Sequence, residues 1–306
     1  MKTPRPLIAL ALLSVSCAQD ATLEPFELRF AATDGTTSVG CQTRFANQGP
    51  GADVTVGVSD VRFYVSDVRA FDSRGDELRL DWDESPFQYR SNEGFVALID
   101  LTGADGDCGA DAISFAEGTV RMNDRLTGRV SGAVARVEFR VGVPQAVMKT
   151  VLRDFSAEGA PSPLSEMHWS WAGGHRHFVF NFVVEGASGR GDGYVHLGSR
   201  DCGGDGARAL TDREACGLVN TPAVALNLDP STESVGVDLS AFLAELDFVA
   251  PVYDPSTFEV IGEGPGVECH SAIDLQEDCT PIFRAFGLDP QTGDASAGLN
   301  AVFYAR

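Results

Sequence analysis

Apolar and polar residues alternate in many short runs along the chain, and turn-forming residues separate the runs. Alternation with a period of two is typical of β-strands that bury one face. The runs that predict strands are residues 26–32, 54–64, 65–71, 77–82, 95–101, 132–142, 194–198, 223–228, 234–239 and 301–304. Helical character is confined to residues 239–246, residues 281–286 and a turn within 144–163. The pattern predicts an all-β protein, an antiparallel β-sandwich rather than a closed barrel, with short helices and disulfide-closed loops.

One further segment, MHWSWAGGHRHF, predicts a β-hairpin with a three-residue Ala-Gly-Gly loop. In this register Trp171 lies opposite His175. The next facing pair is Trp169 with His177. Because side chains alternate between the two faces of a sheet, these four side chains are expected on one side. The other side carries Phe178 and the two phenylalanines that follow it at alternate positions, and we expect these in the core.

The histidines of this segment are candidate ligands for a soft or redox-active metal. His175 and His177 share a face with the tryptophans. His168 and Met167 precede them on the same segment, and His196 follows on the next predicted strand. Imidazole nitrogen suits copper, and thioether sulfur selects the cuprous state. The alternative is an aromatic-rich hairpin in which the imidazoles make only hydrogen bonds.

The composition narrows the range of functions. The chain has 23 lysines and arginines against 44 aspartates and glutamates, which gives a formal charge of −21. Such a surface repels nucleic-acid phosphate and anionic lipid headgroups, which disfavours a nucleic-acid binder or a protein held on a membrane by a basic patch. The zinc-protease, serine-hydrolase and phosphate-loop motifs are absent from the sequence. Since no acid–base or nucleophile arrangement stands out, a non-enzymatic role is expected.

The first 18 residues predict an export signal. Lys2 and Arg5 precede a short apolar stretch that is too short to remain as a membrane span. Two processing routes stay open: lipidation at Cys17, as in a bacterial lipoprotein, or ordinary cleavage after Ala18. Residues 19–306 are then expected to form a single β domain in the periplasm, or anchored at the outer membrane or cell surface.

Six cysteines remain after the signal segment, an even number that indicates disulfides in an oxidising compartment. Six cysteines allow 15 pairings. Proximity along the chain favours Cys202–Cys216 and Cys269–Cys279, which leaves Cys41–Cys108. A zinc site is disfavoured because the sequence has no C-x-x-C pair.

An acidic loop offers a different class of function. Asp105, Asp107 and Asp111 could hold calcium through carboxylate oxygens, although the spacing of an EF-hand loop is missing. The alternative hypothesis is therefore a cell-surface adhesion or glycan-binding β-sandwich with calcium-binding acidic loops. A solvated acidic loop without an ion is the simpler interpretation of the same residues.

Several motifs in a fixed order connect the chain to a known family. They are DVRFYVSDVR (60–69), VALIDL (96–101), EFRVGVP (138–144), SPLSEMHWSWAGGHRHF (162–178), VHLGSRDC (195–202), VGVDLSAFLAELD (235–247) and IFRAFGLDPQTG (282–293). Cys202, Cys216, Cys269 and Cys279 match a four-cysteine signature. On these residues the chain resembles the methanobactin-operon protein P (MbnP-like) family, also described as the four-Cys member of a metallo-mystery pair.

The resemblance implies an exported copper-binding β protein. Its implied partner is a di-haem protein of the cytochrome c peroxidase type (MbnH-like), which oxidises a tryptophan of this chain to kynurenine near the copper. The implied candidates are Trp169 or Trp171 for the oxidation and His196 as a ligand. The family usually has Asn-His where this chain has Met148 and Lys149, and aromatic residues where it has His175 and His177.

Overall fold

Strands make up about half of the described part of the computed structural model, which comprises residues 22–106, 122–154, 159–170, 174–203 and 209–306. In chain order the strands are β1 (Glu24–Asp34), β2 (Thr37–Ser38), β3 (Arg44–Gln48), β4 (Val54–Phe71), β5 (Glu77–Leu78), β6 (Leu80–Trp82), β7 (Gln88–Ser91), β8 (Gly94–Asp100), β9 (Arg125–Val130), β10 (Arg136–Val141), β11 (His168–Ser170), β12 (Gly174–Gly186), β13 (Gly189–Gly198), β14 (Arg200–Cys202), β15 (Cys216–Leu218), β16 (Ala223–Asn227), β17 (Val235–Asp238), β18 (Val249–Tyr253), β19 (Val260–Pro265), β20 (Val267–Cys269) and β21 (Phe303–Ala305).

Helices are few and short. In the described residues they are α1 (Gln145–Asp154), α2 (Ser240–Leu243) and α3 (Cys279–Ala285), and a 3-10 turn lies at Ala297–Leu299. The predicted all-β class with short helices is confirmed. No helix in the described part of the chain is both long enough and apolar enough to cross a bilayer. The predicted signal segment with Cys17 lies outside the described residues.

Two large sheets carry the architecture. One has the strand order β21-β17-β1-β9-β6, with β2 paired to β1. The other has the order β16-β10-β4-β12-β13-β20, with shorter strands along its sides. The sheets are mixed, because β1 pairs with β17 and β13 pairs with β20 in parallel. The expectation of purely antiparallel sheets was wrong at these two places, where long connections bring a distant segment to the edge of a strand.

The two sheets face each other across a phenylalanine-rich core. Phe30 of β1 packs edge-on against Phe63 of β4 and Phe139 of β10, with ring centroids 5.5 and 5.8 Å apart. The buried cluster extends along the chain from Phe26 to Phe303. Phe178 and its alternate neighbours on β12 lie in this cluster, as predicted. A two-layer β-sandwich buries each sheet on its inner face in this way.

Strand β4 is one continuous element, although the sequence predicts two strands over the same residues. Its central residues are buried on both faces, so the period of two that marks a half-buried strand is lost. Its inner face meets the main core, and its outer face meets a smaller apolar cluster that includes Tyr64, Val147 of α1 and Leu164. Helix α1, which is longer than the single turn expected, covers this outer face.

Candidate metal centre

Strand β13 brings one histidine close to the end of β20. Alternation along β13 turns Val195 and Leu197 into the main core. His196, between them, therefore projects from the opposite face. Val195 lies level with Cys269 in the parallel β13–β20 pair. His270 is the next residue after Cys269, and this register places it beside His196.

The two imidazoles of His196 and His270, called here the paired histidines, are in direct contact. Their Nδ1 atoms are 2.9 Å apart. The Nε2 atom of His196 lies 2.7 Å from Asn181 Oδ1, an acceptor, so Nε2 carries the proton and donates it. The lone pair of His196 is then on Nδ1 and points toward His270. Asn181 thus orients His196 as an outer-shell residue orients a metal ligand.

Burial keeps the paired histidines neutral. Desolvation, reinforced by the neighbouring His270 and Arg176, lowers the pKa of His196 to about 2. Desolvation also lowers the pKa of His270, although Glu268 opposes the shift. Neutral imidazole is the form that binds metal ions, so both rings are available as ligands at neutral pH.

Trp169 completes this group from strand β11. Its indole is half-buried, and its ring centroid lies 6.3 Å from that of His196 and 6.1 Å from that of His270. Gly198 allows this approach, since a Cβ at that position would lie 3.4 Å from the indole Cε3 and 2.7 Å from the carbonyl oxygen of His175. A methyl group at Gly198 would touch the indole and would clash with the carbonyl oxygen of His175 on β12.

Arg176 lies against the same indole. Its guanidinium carbon is 5.5 Å from the centroid of Trp169, a cation–π arrangement. Its Nε is buried and has no hydrogen-bond partner. Desolvation therefore lowers the pKa of Arg176, and Asp60 opposes the shift at longer range. An acceptor oxygen placed near the indole would satisfy this donor.

Three other histidines, His168, His175 and His177, form a second group, called here the inner histidines. The Nε2 of His175 lies 3.1 Å from the carbonyl oxygen of Leu164, and the Nε2 of His177 lies 2.8 Å from that of Val219. A carbonyl accepts only, so both rings donate from Nε2. Burial lowers the pKa of His175 to about 3 and that of His177 to about 4.

The predicted hairpin register was wrong. Strand β11 pairs with β12 so that His168 lies opposite His175 and Ser170 lies opposite Gly174, with an irregularity between the two pairs. The expected facing pair of Trp169 with His177 is therefore not formed, and Trp171 lies outside the described residues. The observed partner of His175 lies three residues before the predicted one, and a shift by an odd number of residues moves side chains to the other face of a sheet. This shift separates Trp169 from the inner histidines.

A family model described as MbnP matches residues 23–259 of the chain. This chain belongs to the MbnP family. Among solved structures it is similar to MbnP from Methylosinus trichosporium, with a TM-score of 0.68 and 25% sequence identity over 93% of this chain and 98% of that chain. A search of curated proteins finds no significant match. The resemblance drawn from the sequence motifs is thereby confirmed at the level of the family.

In this MbnP-family chain the departure at Met148 and Lys149 falls on helix α1. Met148 is fully buried in the smaller apolar cluster, where Ser199 Oγ lies 3.6 Å from its sulfur. Lys149 is half-buried and has no imidazole to offer. The imidazole ligands of any metal site in this chain therefore have to come from other positions.

The structure distributes the predicted ligands over two places. His196 lies with Trp169, whereas His168, His175 and His177 lie in the other group. Met167 is buried in the smaller apolar cluster, and Trp171 lies outside the described residues. Among the described residues, no three histidine, cysteine, aspartate or glutamate side chains converge as a metal-binding group.

His270 was not predicted. It is the fifth histidine and lies far from the others in sequence. The prediction relied on histidines that are close together in sequence, between residues 168 and 196, and therefore did not include it. One signal was available: His270 directly follows Cys269, and a disulfide cysteine is held firmly in place. A histidine anchored in this way is well suited to a site that needs fixed geometry.

The disulfides confirm two of the three predicted pairs. Cys202–Cys216 joins β14 to β15, and Cys269–Cys279 joins β20 to α3. The second bridge lies directly beside His270 and therefore braces the backbone of the candidate centre. Cys41 is disulfide-bonded, and its predicted partner Cys108 lies outside the described residues.

The acidic loop gives little support to a calcium site. Asp105 accepts hydrogen bonds from the Gln42 backbone N–H at 3.1 Å and from Thr43 Oγ1 at 2.6 Å. Its carboxylate is thus engaged in holding the neighbouring turn. Asp107 and Asp111 lie outside the described residues.

Proposed function

We propose that this protein is an exported copper-binding protein and the substrate of a di-haem partner of the cytochrome c peroxidase type, which oxidises Trp169 to kynurenine. The observation that carries the proposal is the position of the Trp169 indole, whose centroid is 6.3 Å from His196 and 6.1 Å from His270. A tryptophan beside two neutral imidazoles can contribute to a metal site once oxidation gives its side chain atoms that can coordinate the metal. The chain itself acts as a binding protein rather than an enzyme.

The residues present fit copper. The Nδ1 atoms of the paired histidines supply two imidazole nitrogens, which suit copper. Two nitrogens fall short of the four ligands of a structural zinc site. The unmodified indole is a poor ligand, whereas kynurenine carries an aryl amine and a carbonyl oxygen. The oxidised Trp169 side chain would thus supply what the paired histidines lack.

The oxidation balances with peroxide as the oxidant class. Two equivalents of hydrogen peroxide, reduced at the partner's haems, yield two waters and leave two oxygen atoms across the opened indole double bond. Water then releases the formyl group as formate and leaves the aryl amine. The new carbonyl oxygen would lie near the unpaired Nε of Arg176, which donates to it.

The proposed location is the periplasm, or the outer membrane or cell surface if Cys17 carries a lipid. A haem partner outside the cytoplasm can act on this chain only if the chain is exported. The two confirmed disulfides agree with an oxidising compartment. Single-domain organisation of residues 19–306 is part of the same proposal.

Intact mass of protein produced with and without the partner tests the proposal. We expect a gain of one oxygen and a loss of one carbon, localised to Trp169 by peptide mapping, only when the partner is present. Trp169→Phe should abolish the change, and Trp171→Phe is the matched control that should retain it. An unchanged mass with an active partner, or modification at Trp171 alone, would contradict the assignment.

A further inference from the structure

A hairpin next to the candidate centre exposes an unusual amount of apolar surface. Strands β18 and β19 form a two-stranded sheet of their own. Phe258 is 79% exposed, Val260 60% and Ile261 63%, and Val249, Val252 and Tyr253 are also exposed. Single exposed apolar residues are ordinary, but six of them within one hairpin indicate an interaction surface. We call this hairpin, Val249–Pro265, the apolar hairpin.

Phe258 also has an energetically unfavourable backbone conformation. It adopts a positive φ of 58° at the turn of the apolar hairpin, a conformation that favours glycine or asparagine and is unusual for a bulky residue. Its ring contributes nothing to the main core. A large, exposed and backbone-strained aromatic residue is better explained by contact with another molecule than by folding.

The apolar hairpin is linked to the candidate centre by two contacts. Tyr253 on β18 donates a hydrogen bond of 2.9 Å to Glu268 Oε2. The other oxygen, Glu268 Oε1, lies 3.8 Å from Nε2 of His270. His270 in turn lies beside Trp169. A molecule that covers the hairpin is thereby placed near the half-buried indole.

The chain segment that contains the apolar hairpin carries charge of a single sign. The sequence contains no lysine or arginine between Arg213 and Arg284, whereas acidic residues recur throughout that segment. Asp254, Glu259 and Glu263 lie on the apolar hairpin itself. Such a surface complements a basic protein face and repels an anionic bilayer.

We infer that the apolar hairpin is the docking surface for the haem partner, through a partner face with an apolar centre and a basic rim. The inference rests on the proposed function, since it names where the oxidant of Trp169 binds. Apolar contacts supply the affinity, and the acidic rim steers the approach and makes the association salt-dependent.

The test compares a triple variant, Phe258→Ser, Val260→Thr and Ile261→Thr, with the control Leu299→Ser, whose leucine is 70% exposed at a distance in sequence from the hairpin. Binding to the purified partner is measured by titration, and conversion of Trp169 by intact mass. We expect at least about tenfold weaker binding for the triple variant, since exposed aromatic anchors dominate interface energies. The melting temperature should be unchanged, and the control should behave as wild type.

The outcomes separate this inference from the proposed function. If the wild type is converted, and the triple variant binds the partner and is converted equally well, the docking surface is overturned and the proposed function stands. Binding that depends on the hairpin without conversion of Trp169 supports the docking surface and overturns the oxidation. Absence of wild-type binding overturns the docking surface. Hairpin-dependent binding to phosphatidylglycerol vesicles, with partner binding unaffected, would assign the surface to a membrane and overturn the inference.

Discussion

Two groups of histidines lie on or beside the same strands, and their hydrogen bonds distinguish them. The inner histidines direct Nε2 at backbone carbonyl groups, as His175 does toward Leu164 and His177 toward Val219. In the other group His196 directs Nε2 at the side chain of Asn181 and turns Nδ1 toward His270. The inner imidazoles donate hydrogen bonds to backbone carbonyl groups, whereas the paired imidazoles have their Nδ1 nitrogens facing each other.

The comparison shows that local sequence clustering is a weak guide to ligands. Three of the five histidines fall within ten residues of one another and belong to the inner group. The paired histidines are 74 residues apart, and only the β13–β20 pairing brings them together. Trp169, the side chain that we propose is oxidised, lies beside the distant pair and on the opposite side of β11 from the local cluster.

The largest effect should come from removing one paired histidine. With protein verified by mass to contain oxidised Trp169, we expect His270→Ala to weaken copper binding by at least about 100-fold, more than the loss of an outer-shell residue. The melting temperature should change little because His270 is partly exposed. Copper titration by competition with a chelator measures the affinity.

His168→Ala is the matched control, since His168 is half-buried and belongs to the inner group. It should leave copper affinity unchanged. A control that loses copper while His270→Ala keeps it would reverse the assignment of the two groups.

Removing an inner histidine should instead affect stability. His177 receives a hydrogen bond of 3.3 Å from the Val143 N–H at Nδ1 and donates to the Val219 carbonyl from Nε2. His177→Ala leaves both buried backbone groups unsatisfied, which costs about 2 kcal/mol of the free energy of unfolding. Denaturant unfolding measures the loss. Copper affinity that falls in parallel, in protein still folded, would show that the inner group binds metal.

Orientation of His196 by Asn181 should have a smaller effect. Asn181→Leu removes the acceptor of the His196 Nε2 proton, so that the ring tautomer and angle are no longer fixed. We expect about tenfold weaker copper binding, the lower end of the range for outer-shell residues. Asn181→Asp keeps an acceptor oxygen and should restore most of the affinity. Equal affinities for the two variants would remove Asn181 from the site.

The fold was largely accessible from the sequence. Period-two alternation located the half-buried strands, and the phenylalanines of β12 were placed correctly in the core. The errors arose where burial on both faces removes the alternation, and where a strand pairs with a segment distant in sequence. Strand β4 is buried on both faces and was divided in two, and the parallel β13–β20 pairing depends on a partner far away in sequence.

The candidate centre was only partly accessible. His196 and the Trp169 strand were identified from local motifs and the family resemblance, but the face of Trp169 depends on an irregularity between β11 and β12. Alternation cannot predict such a shift, because one residue reverses the side of every side chain. His270 required knowledge of the parallel strand pair, which no local pattern encodes.

The smallest predicted effect concerns pH and again separates the groups. The pKa of His175 is about 3 in the folded protein against 6.5 for the free side chain. As pH falls below 6.5 the unfolded chain takes up a proton that the folded protein refuses, so stability that is complete above this pH is progressively lost. From pH 7 to pH 6 one such histidine lowers the free energy of unfolding by an amount on the order of 0.7 kcal/mol.

The melting temperature of two variants tests this effect. His175→Phe should reduce the drop in melting temperature over this interval by about 2 °C, while His270→Ala, in which the lost ring is partly exposed, should reduce it less. Asp100 and Asp278, whose pKa values burial raises to about 6, shift stability in the opposite direction, but equally in all three proteins. An identical pH dependence in wild type and His175→Phe would mean that the His175 ring has the same pKa in the folded and the unfolded protein, and the inner group would then no longer be held neutral by burial.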